Sequence, residues 1–229
     1  MSTVHNPPPA GGDGGFEEGQ VLLIDKPLHW TSFDAVKKIR NLIRIKKVGH
    51  AGTLDPLATG LLIICTGKFT KRINEFMAQE KEYTGSFTLG ATTPTYDLES
   101  EQENFKSTEH ITEEQIRNTT TAFTGEILQI PPAHSAIKQD GKRVYELARQ
   151  GKEVILEPRK LTISEFVIEK IVPGTPFGEM PVVHFKVICS TGTYIRSLAN
   201  DFGKALGCGA FLSGLRRTRI GNFRVKDAM

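Results

Sequence analysis

Apolar residues recur along this chain in two rhythms, short runs that are continuous or alternate and longer ones spaced by three and four, and each rhythm predicts a different element. Val21 to Ile24 is a continuous run that reads as a short buried strand, ended by Pro27. Thr31 with Asp34 three residues on resembles a capping box, and Phe33, Val36, Ile39, Leu42 and Ile43 follow at helical spacing, so a helix begins there. Leu61 to Cys65 predicts a second buried strand. Tyr83, Gly85, Phe87 and Leu89 alternate with Thr84, Ser86 and Thr88, the pattern of a half-buried strand that stops at Gly90. Thr112 with Gln115 caps a helix that runs to Phe123 and stops near Gly125, after which Pro131 and Pro132 break the chain. Strand-like runs cover Leu161 to Val172 and Val182 to Cys189, and Ile195, Leu198, Ala199, Phe202 and Leu206 mark a helix closed by Gly207.

Strands and helices in this order do not alternate as a doubly wound parallel sheet requires, and no repeat of 20 to 50 residues is present. The pattern is that of a mixed α+β domain. Residues 1–19 are rich in Pro and Gly and almost without apolar side chains, so they are expected to be a disordered tail, leaving 20–229 as the domain. Within it, a polar insert at about 131–155 carries Lys138, Lys142, Arg143 and Arg149 around a short helical pattern.

Composition narrows the class of protein. No run approaches the roughly 18 to 20 apolar residues of a membrane span, and the N-terminus lacks a basic start and an apolar core, so a cytoplasmic protein is expected. Cys65, Cys189 and Cys208 are far apart and odd in number, which predicts buried thiols rather than a disulfide framework or a zinc site. The formal net charge is only +3, but its distribution is uneven. Residues 1–19 hold three acids and no Lys or Arg, and Asp97 to Glu114 hold seven acids against Lys106 alone; the remainder carries a net +12 and suits a polyanionic partner. Lys37, Lys38, Arg40, Arg44, Lys46 and Lys47 crowd the first predicted helix, where a plain solvated face is the simpler account of such a run.

Two segments stand out chemically. Gly49-His50-Ala51-Gly52-Thr53-Leu54-Asp55-Pro56-Leu57-Ala58-Thr59-Gly60 lies between the basic helix and a buried strand, and its glycines and proline allow tight turns that present Asp55 in a cleft with His50 nearby. On local composition Asp55 reads equally well as a turn former before Pro56. Cys189-Ser190-Thr191-Gly192-Thr193-Tyr194-Ile195-Arg196 passes from a strand through a polar turn into a helix, placing Arg196 in the first helical turn. The helix dipole gives a cation no reason to be there, so Arg196 is either a solvated surface residue or one with a specific anionic partner. Thr66-Gly67-Lys68 suggests a phosphate loop, but Leu62 and Phe69 stand where glycine and Ser or Thr belong, and no GxGxxG, HExxH or GxSxG pattern occurs.

Taken in order, these segments closely resemble the bacterial tRNA pseudouridine synthase B family over about residues 20–229. The resemblance rests on Asp25-Lys26-Pro27 with Thr31-Ser32, on GHAGTLDPLATG, on Lys81-Glu82-Tyr83 with Leu89-Gly90, on PPAHSAIKQDGKRVYELAR, on GTYIRSL and on LRRTRIG. It implies a catalytic fold with a mixed, mainly antiparallel sheet flanked by helices and loops, an insert at 131–155 that closes over RNA, and no appended PUA domain. It also implies an isomerase that needs no cofactor and no metal, acts on a uridine of the tRNA T-arm stem-loop, and works as a monomer without a protein partner.

Carried over by position, the resemblance makes Asp55 the catalytic aspartate and Arg196 its ion-pair partner. The carboxylate would break the N-glycosidic bond, either by attack on C1′ or by removing the C2′ proton to give a glycal, after which C1′ is rejoined to C5 of uracil. A stacked uridine must first be flipped out. Tyr83 would stack on the flipped base and assist loss of the C5 proton, Tyr194 would line the pocket, His50 would stabilise the flipped RNA and Leu215 would add an apolar wall. For either tyrosine alone, core packing is the commoner role. Lys26 and Ser32 belong to a motif near the cleft. The first helix, the insert near Lys138 to Arg149, and Arg216, Arg217 and Arg219 are the expected phosphate contacts.

Three positions depart from the family pattern. His29 stands where glycine is usual, Asp97-Leu98-Glu99-Ser100 lacks the glycine that normally follows, and the chain ends at Met229. A tRNA-binding or tRNA-folding protein with little catalysis is the competing reading. A glycoside hydrolase with paired carboxylates is a third, for which Asp25 and Asp97 are the only second acids to consider.

Overall fold

The computed structural model of the protein describes residues 15–133, 138–139, 142–143, 156–175 and 179–229. In chain order its principal elements are β1 (Val21–Lys26), α1 (Ser32–Ile43), β2 (Val48–Ala51), β3 (Ala58–Thr66), α2 (Ile73–Met77), β4 (Lys81–Leu89), α3 (Glu113–Thr119), β5 (Gly125–Gln129), β6 (Lys138–Gln139), β7 (Lys142–Arg143), β8 (Arg159–Val172), β9 (Val182–Cys189), α4 (Ile195–Ala205), β10 (Ala210–Ile220) and β11 (Phe223–Arg224). The chain divides into two compact units, one made of Met1–Tyr83 with Leu215–Met229 and the other of Thr84–Gly214. Strands β4 and β10 run through both. Among the described residues no helix is long and apolar enough to cross a membrane.

The first unit is organised by β3. Its residues are buried on both faces, as a continuous apolar run predicts, and it pairs antiparallel with β1 and β2 and parallel with the end of β10. Because strand side chains alternate, Leu62 and Ile64 join Leu22, Ala35, Val36 and Val48 on one side, while Leu61, Ile63 and Cys65 join Leu23, Phe76 and Ile220 on the other. Helix α1 begins as its capping box requires, Thr31 Oγ1 accepting from the Asp34 amide and Asp34 from the Thr31 amide. It packs through Ala35 and Val36, with Ile39 and Ile43 beside them, whereas Phe33 and Leu42 are 62% and 72% exposed. The apolar stripe is therefore narrower than its spacing suggests, since those two residues fall on either flank of the packed line.

Residues 15–19, expected to belong to a disordered tail, are folded. Phe16 is buried in the α1 core, its carbonyl accepts from Thr66 Oγ1 at 2.8 Å, and the Lys68 amide donates to the Glu17 carbonyl at 3.1 Å. One aromatic side chain is enough to anchor so short a segment once a backbone partner is supplied. Gly67 makes room for it, because a Cβ there would lie 2.0 Å from the Glu17 oxygen. The rest of the expected tail lies outside the described residues, as does most of the insert at 131–155.

The second unit is built on the antiparallel succession β5, β8 and β9, with β9 next to β4 and β4 next to β10. Phe87, Phe166, Phe185 and Phe202 form its aromatic centre, the rings of Phe87 and Phe185 lying 4.2 Å apart. Strands β4 and β10 approach closely at Gly85, where a Cβ would lie 2.3 Å from the Gly214 oxygen, and Ser86 and Ser213 share a hydroxyl hydrogen bond of 2.9 Å. The mixed, mainly antiparallel α+β architecture is as expected. Strands β5 and β10 are additions to the sequence reading: the first is short, and the second is hidden by its own Ser, Gly and Arg content. Cys65, Cys189 and Cys208 are all buried, as their spacing predicted.

Candidate active site

Asp55 lies between β2 and β3, in a loop narrower than the glycine-rich segment suggested, because His50 is already in β2 and Ala58 to Gly60 already in β3. The loop closes as a turn, the Ala58 amide donating to the Asp55 carbonyl at 3.0 Å. Both neighbours of Asp55 are tied to the segment that enters α1. Ser32 Oγ accepts from the Leu54 amide at 2.9 Å and donates to the Leu54 carbonyl at 3.2 Å, and the His29 amide donates to the Pro56 carbonyl at 2.8 Å. Ser32 thus anchors the loop. His29 adopts a positive φ of 66°, the conformation a glycine supplies without strain.

Lys26 is fully buried at the end of β1, with its Nζ donating to the Pro27 carbonyl at 3.0 Å and to the Trp30 carbonyl at 2.6 Å. Burial pushes its pKa down; the Asp55 carboxylate opposes that shift and the Arg217 guanidinium adds to it. Lys26, Asp55 and Arg217 therefore belong to one electrostatic neighbourhood. Arg217 was expected to contact phosphate, but it is 1% exposed and its donors are spent on backbone: Nε on the Leu61 carbonyl at 2.7 Å, Nη2 on Gly52 at 3.0 Å and Nη1 on Thr53 at 3.5 Å. It clamps the start of the Asp55 loop from below. The clamp depends on Gly60, where β3 meets β10 so closely that a Cβ would lie 2.3 Å from the Arg217 oxygen.

His50 is half-buried on β2, and its pKa is lowered by burial first and by Arg217 second, with a weaker opposing contribution from the Gly52 backbone, so the imidazole is neutral at pH 7. Tyr83 is buried at the start of β4, and Leu215 is half-buried on β10 opposite Ala58. Arg216 makes a bidentate pair with Asp25 at 3.0 and 2.6 Å, and Arg219 pairs with Glu80 at 2.9 Å and Glu82 at 3.6 Å. The Arg216, Arg217 and Arg219 cluster is thus committed largely to the protein itself.

In the second unit, Arg196 occupies the first turn of α4 and is 6% exposed. It is not a solvated surface residue: Nη1 lies 3.6 Å from Asp97 Oδ2 and donates to the Thr95 carbonyl at 3.4 Å. Asp97 is held in turn, its Oδ1 accepting from Thr95 Oγ1 at 2.6 Å and from the Glu99 amide at 3.0 Å. Just before it, Tyr96 adopts a positive φ of 63°. Tyr194 is the N-cap residue of α4, and buried Gln129 fixes its backbone by accepting from its amide at 2.8 Å and donating to its carbonyl at 3.1 Å. Gln129 gave no sequence signal. Asp25 and Asp97, the two acids considered for a paired-carboxylate hydrolase, are each engaged by an arginine.

Residues 40–195 match the N-terminal domain of the TruB family of pseudouridylate synthases, and residues 196–229 match the tRNA pseudouridylate synthase B C-terminal domain. The chain is 57% identical over 219 residues to tRNA pseudouridine synthase B of Flavobacterium johnsoniae and 52% identical over 220 residues to that of Phocaeicola vulgatus, covering 93% and 91% of those proteins. Among solved structures it is similar to a chain of a Cbf5-Nop10-Gar1 complex, with 30% identity and a TM-score of 0.66 over 91% of this chain and half of that one. A chain of an H/ACA ribonucleoprotein bound to a substrate RNA containing 2′-deoxyuridine is 28% identical with a TM-score of 0.64, and this chain covers 49% of it. Fold and sequence thus define a pseudouridine synthase, an isomerase. The chain belongs to the TruB family.

Proposed function

We propose that this protein converts the T-loop uridine of tRNA to pseudouridine and that Asp55 is the catalytic carboxylate. The observation that carries the reading is the anchoring of Asp55: within a motif shared with the family, Leu54 and Pro56 are hydrogen-bonded to Ser32 and His29, and Arg217 holds the carbonyls that precede them. So many fixed points hold a carboxylate in one geometry, as a reaction at C1′ demands. Arg196 is assigned as the ion-pair partner of Asp55. Tyr83 stacks on the flipped uracil, Tyr194 and Leu215 bound its pocket, and neutral His50 supports the extruded backbone. Lys26 and Ser32 are assigned to the substrate-binding cleft, which Ser32 serves through its tether to Leu54 and Lys26 through the Pro27 and Trp30 carbonyls it holds.

The reaction exchanges one glycosidic bond for another: N1–C1′ breaks, the base turns, C5–C1′ forms, the C5 hydrogen leaves as a proton and N1 takes up a proton. Its expected setting is the cytoplasm, with the protein acting as a monomer on tRNA, whereas the Cbf5 relative was solved in a complex with two further proteins. Incubation with a T-arm stem-loop bearing tritium at C5 of its uridines tests the reading. Wild-type protein should release tritium and Asp55→Asn should not. Absence of release by the wild type would leave the tRNA-binding alternative in its place, and unchanged release by the variant would remove Asp55 from its role.

A further inference from the structure

The segment that anchors the Asp55 loop also exposes large apolar side chains. Leu28, Trp30 and Phe33 are 48%, 38% and 62% exposed within six residues of one another. Clustered exposure of this kind marks a contact surface more often than scattered single residues do. We propose that Trp30 is a stacking platform for a nucleobase of the RNA substrate adjacent to the target uridine, with α1 leading the RNA backbone away from it. This rests on the reading of the protein as a tRNA pseudouridine synthase.

Three observations support a base rather than another occupant. The first is rigidity. The Trp30 carbonyl accepts from buried Lys26 at 2.6 Å, His29 before it is bound to Pro56 at 2.8 Å, and Thr31 and Ser32 after it belong to the capping box and the Leu54 anchor. The indole is therefore mounted on backbone that is fixed on both sides to the neighbours of Asp55, as a preformed stacking surface requires. The second is that its usual stapling partner is small. Trp30 precedes the N-cap, where an apolar residue often staples onto the fourth helical position, but that position is Ala35, whose methyl covers little of an indole.

The third is charge. At about 100° of rotation per residue, Phe33, Lys37 and Arg40 fall on one stripe of α1, and Arg44 is the C-cap that ends the helix. Lys37 and Arg44 are exposed, and Arg40, which donates to the Val48 carbonyl at 3.4 Å, is half-buried. Asp34, the one acid of this helix, is occupied by the capping box. An aromatic surface continued by cations, with its single acid engaged locally, suits stacked bases followed by phosphates.

Trp30 is the only tryptophan in the chain, so its fluorescence reports on this position alone. Titration of the wild-type protein with a T-arm stem-loop should quench the emission and reduce its accessibility to acrylamide, with a midpoint equal to that from the anisotropy of labelled RNA. Trp30→Phe should keep RNA affinity within roughly threefold, whereas Trp30→Leu, apolar but without a π-face, should weaken it on the order of tenfold. The rate at saturating RNA should be unchanged in both. RNA that binds and reacts while emission and acrylamide accessibility stay constant would overturn the platform and leave the assigned activity standing. A wild-type protein that neither binds nor isomerises the stem-loop would remove the activity on which the inference rests. An indole already shielded from acrylamide in the free protein would also overturn it, since another copy or another segment of the chain would then cover the site.

Discussion

Arg196 Nη1 lies 3.6 Å from Asp97 Oδ2 in the interior of the second unit, with side chains only 7% and 5% exposed. A buried pair of this kind fixes orientation more than it adds stability, because desolvation offsets most of the attraction. Removing one partner is costly. Asp97→Ala should destabilise the protein by about 3–5 kcal/mol. Asp97→Asn, which can still accept from Thr95 and Glu99, should cost about 1–3 kcal/mol. If Arg196 acts on Asp55 from the position Asp97 gives it, the Asn variant should lose on the order of 100-fold in kcat, with KM for the stem-loop nearly unchanged. Full activity in a folded Asn variant would reduce the pair to a structural contact.

Arg216 and Arg217 are adjacent in sequence and opposite in environment. Arg217→Met would strand the Gly52, Thr53 and Leu61 carbonyls and should cost about 3 kcal/mol or more in urea denaturation. Arg216→Ala breaks a pair whose side chains are 41% and 36% exposed, and should cost about 1 kcal/mol at most. For a direct phosphate contact, the slope of log affinity against log salt should fall by about 1. Arg217→Met should leave that slope unchanged.

The contrast between these two arginines shows what the sequence could carry. Periodicity and capping located β1, α1, β3, β4, α3 and α4, because each element is amphipathic or fully buried and begins or ends on a residue with a specific backbone role. Alternation in β10 was masked by Ser213, Gly214 and three arginines, so the strand that brings Arg217 beneath the Asp55 loop was not visible. Its buried face is a cation satisfied by carbonyls, which no apolar pattern announces. Asp55 itself was identified by resemblance. On local composition it was an acid before a proline, and the tethers at Ser32, His29 and Arg217 are contacts across 20 or more residues that only the fold supplies. For Arg196 the residues left a solvated surface position and a specific anionic partner both open, and the structure shows a buried guanidinium beside Asp97.

His29 departs from glycine at a position whose φ is 66°. A non-glycine residue held there costs about 1–2 kcal/mol relative to the right-handed region, while glycine forfeits part of that advantage to its greater freedom in the unfolded chain. His29→Gly should therefore raise stability by up to about 1 kcal/mol, read as a higher urea midpoint at constant slope. The side chain is exposed, so no packing is lost. A lower midpoint would mean that the imidazole makes a contribution the backbone geometry does not explain.

His50 supplies a pH signature. Its pKa in the folded state is depressed below the ordinary 6.5 by burial first and by the Arg217 charge second. Between the depressed folded value and 6.5 the unfolded chain binds the extra proton, so stability rises with pH through that window. The His50 contribution is fully present above pH 6.5 and is lost as pH falls through the folded pKa. Urea midpoints measured from pH 7.5 down to 5 should therefore fall less steeply for His50→Gln than for the wild type, the two curves separating below about pH 6.5. In Arg217→Met the second cause is removed, so the imidazole resonances of His50 should titrate at a higher pH than in the wild type. An unshifted titration in that variant would mean that burial alone sets the His50 pKa and that Arg217 holds the loop only through its hydrogen bonds.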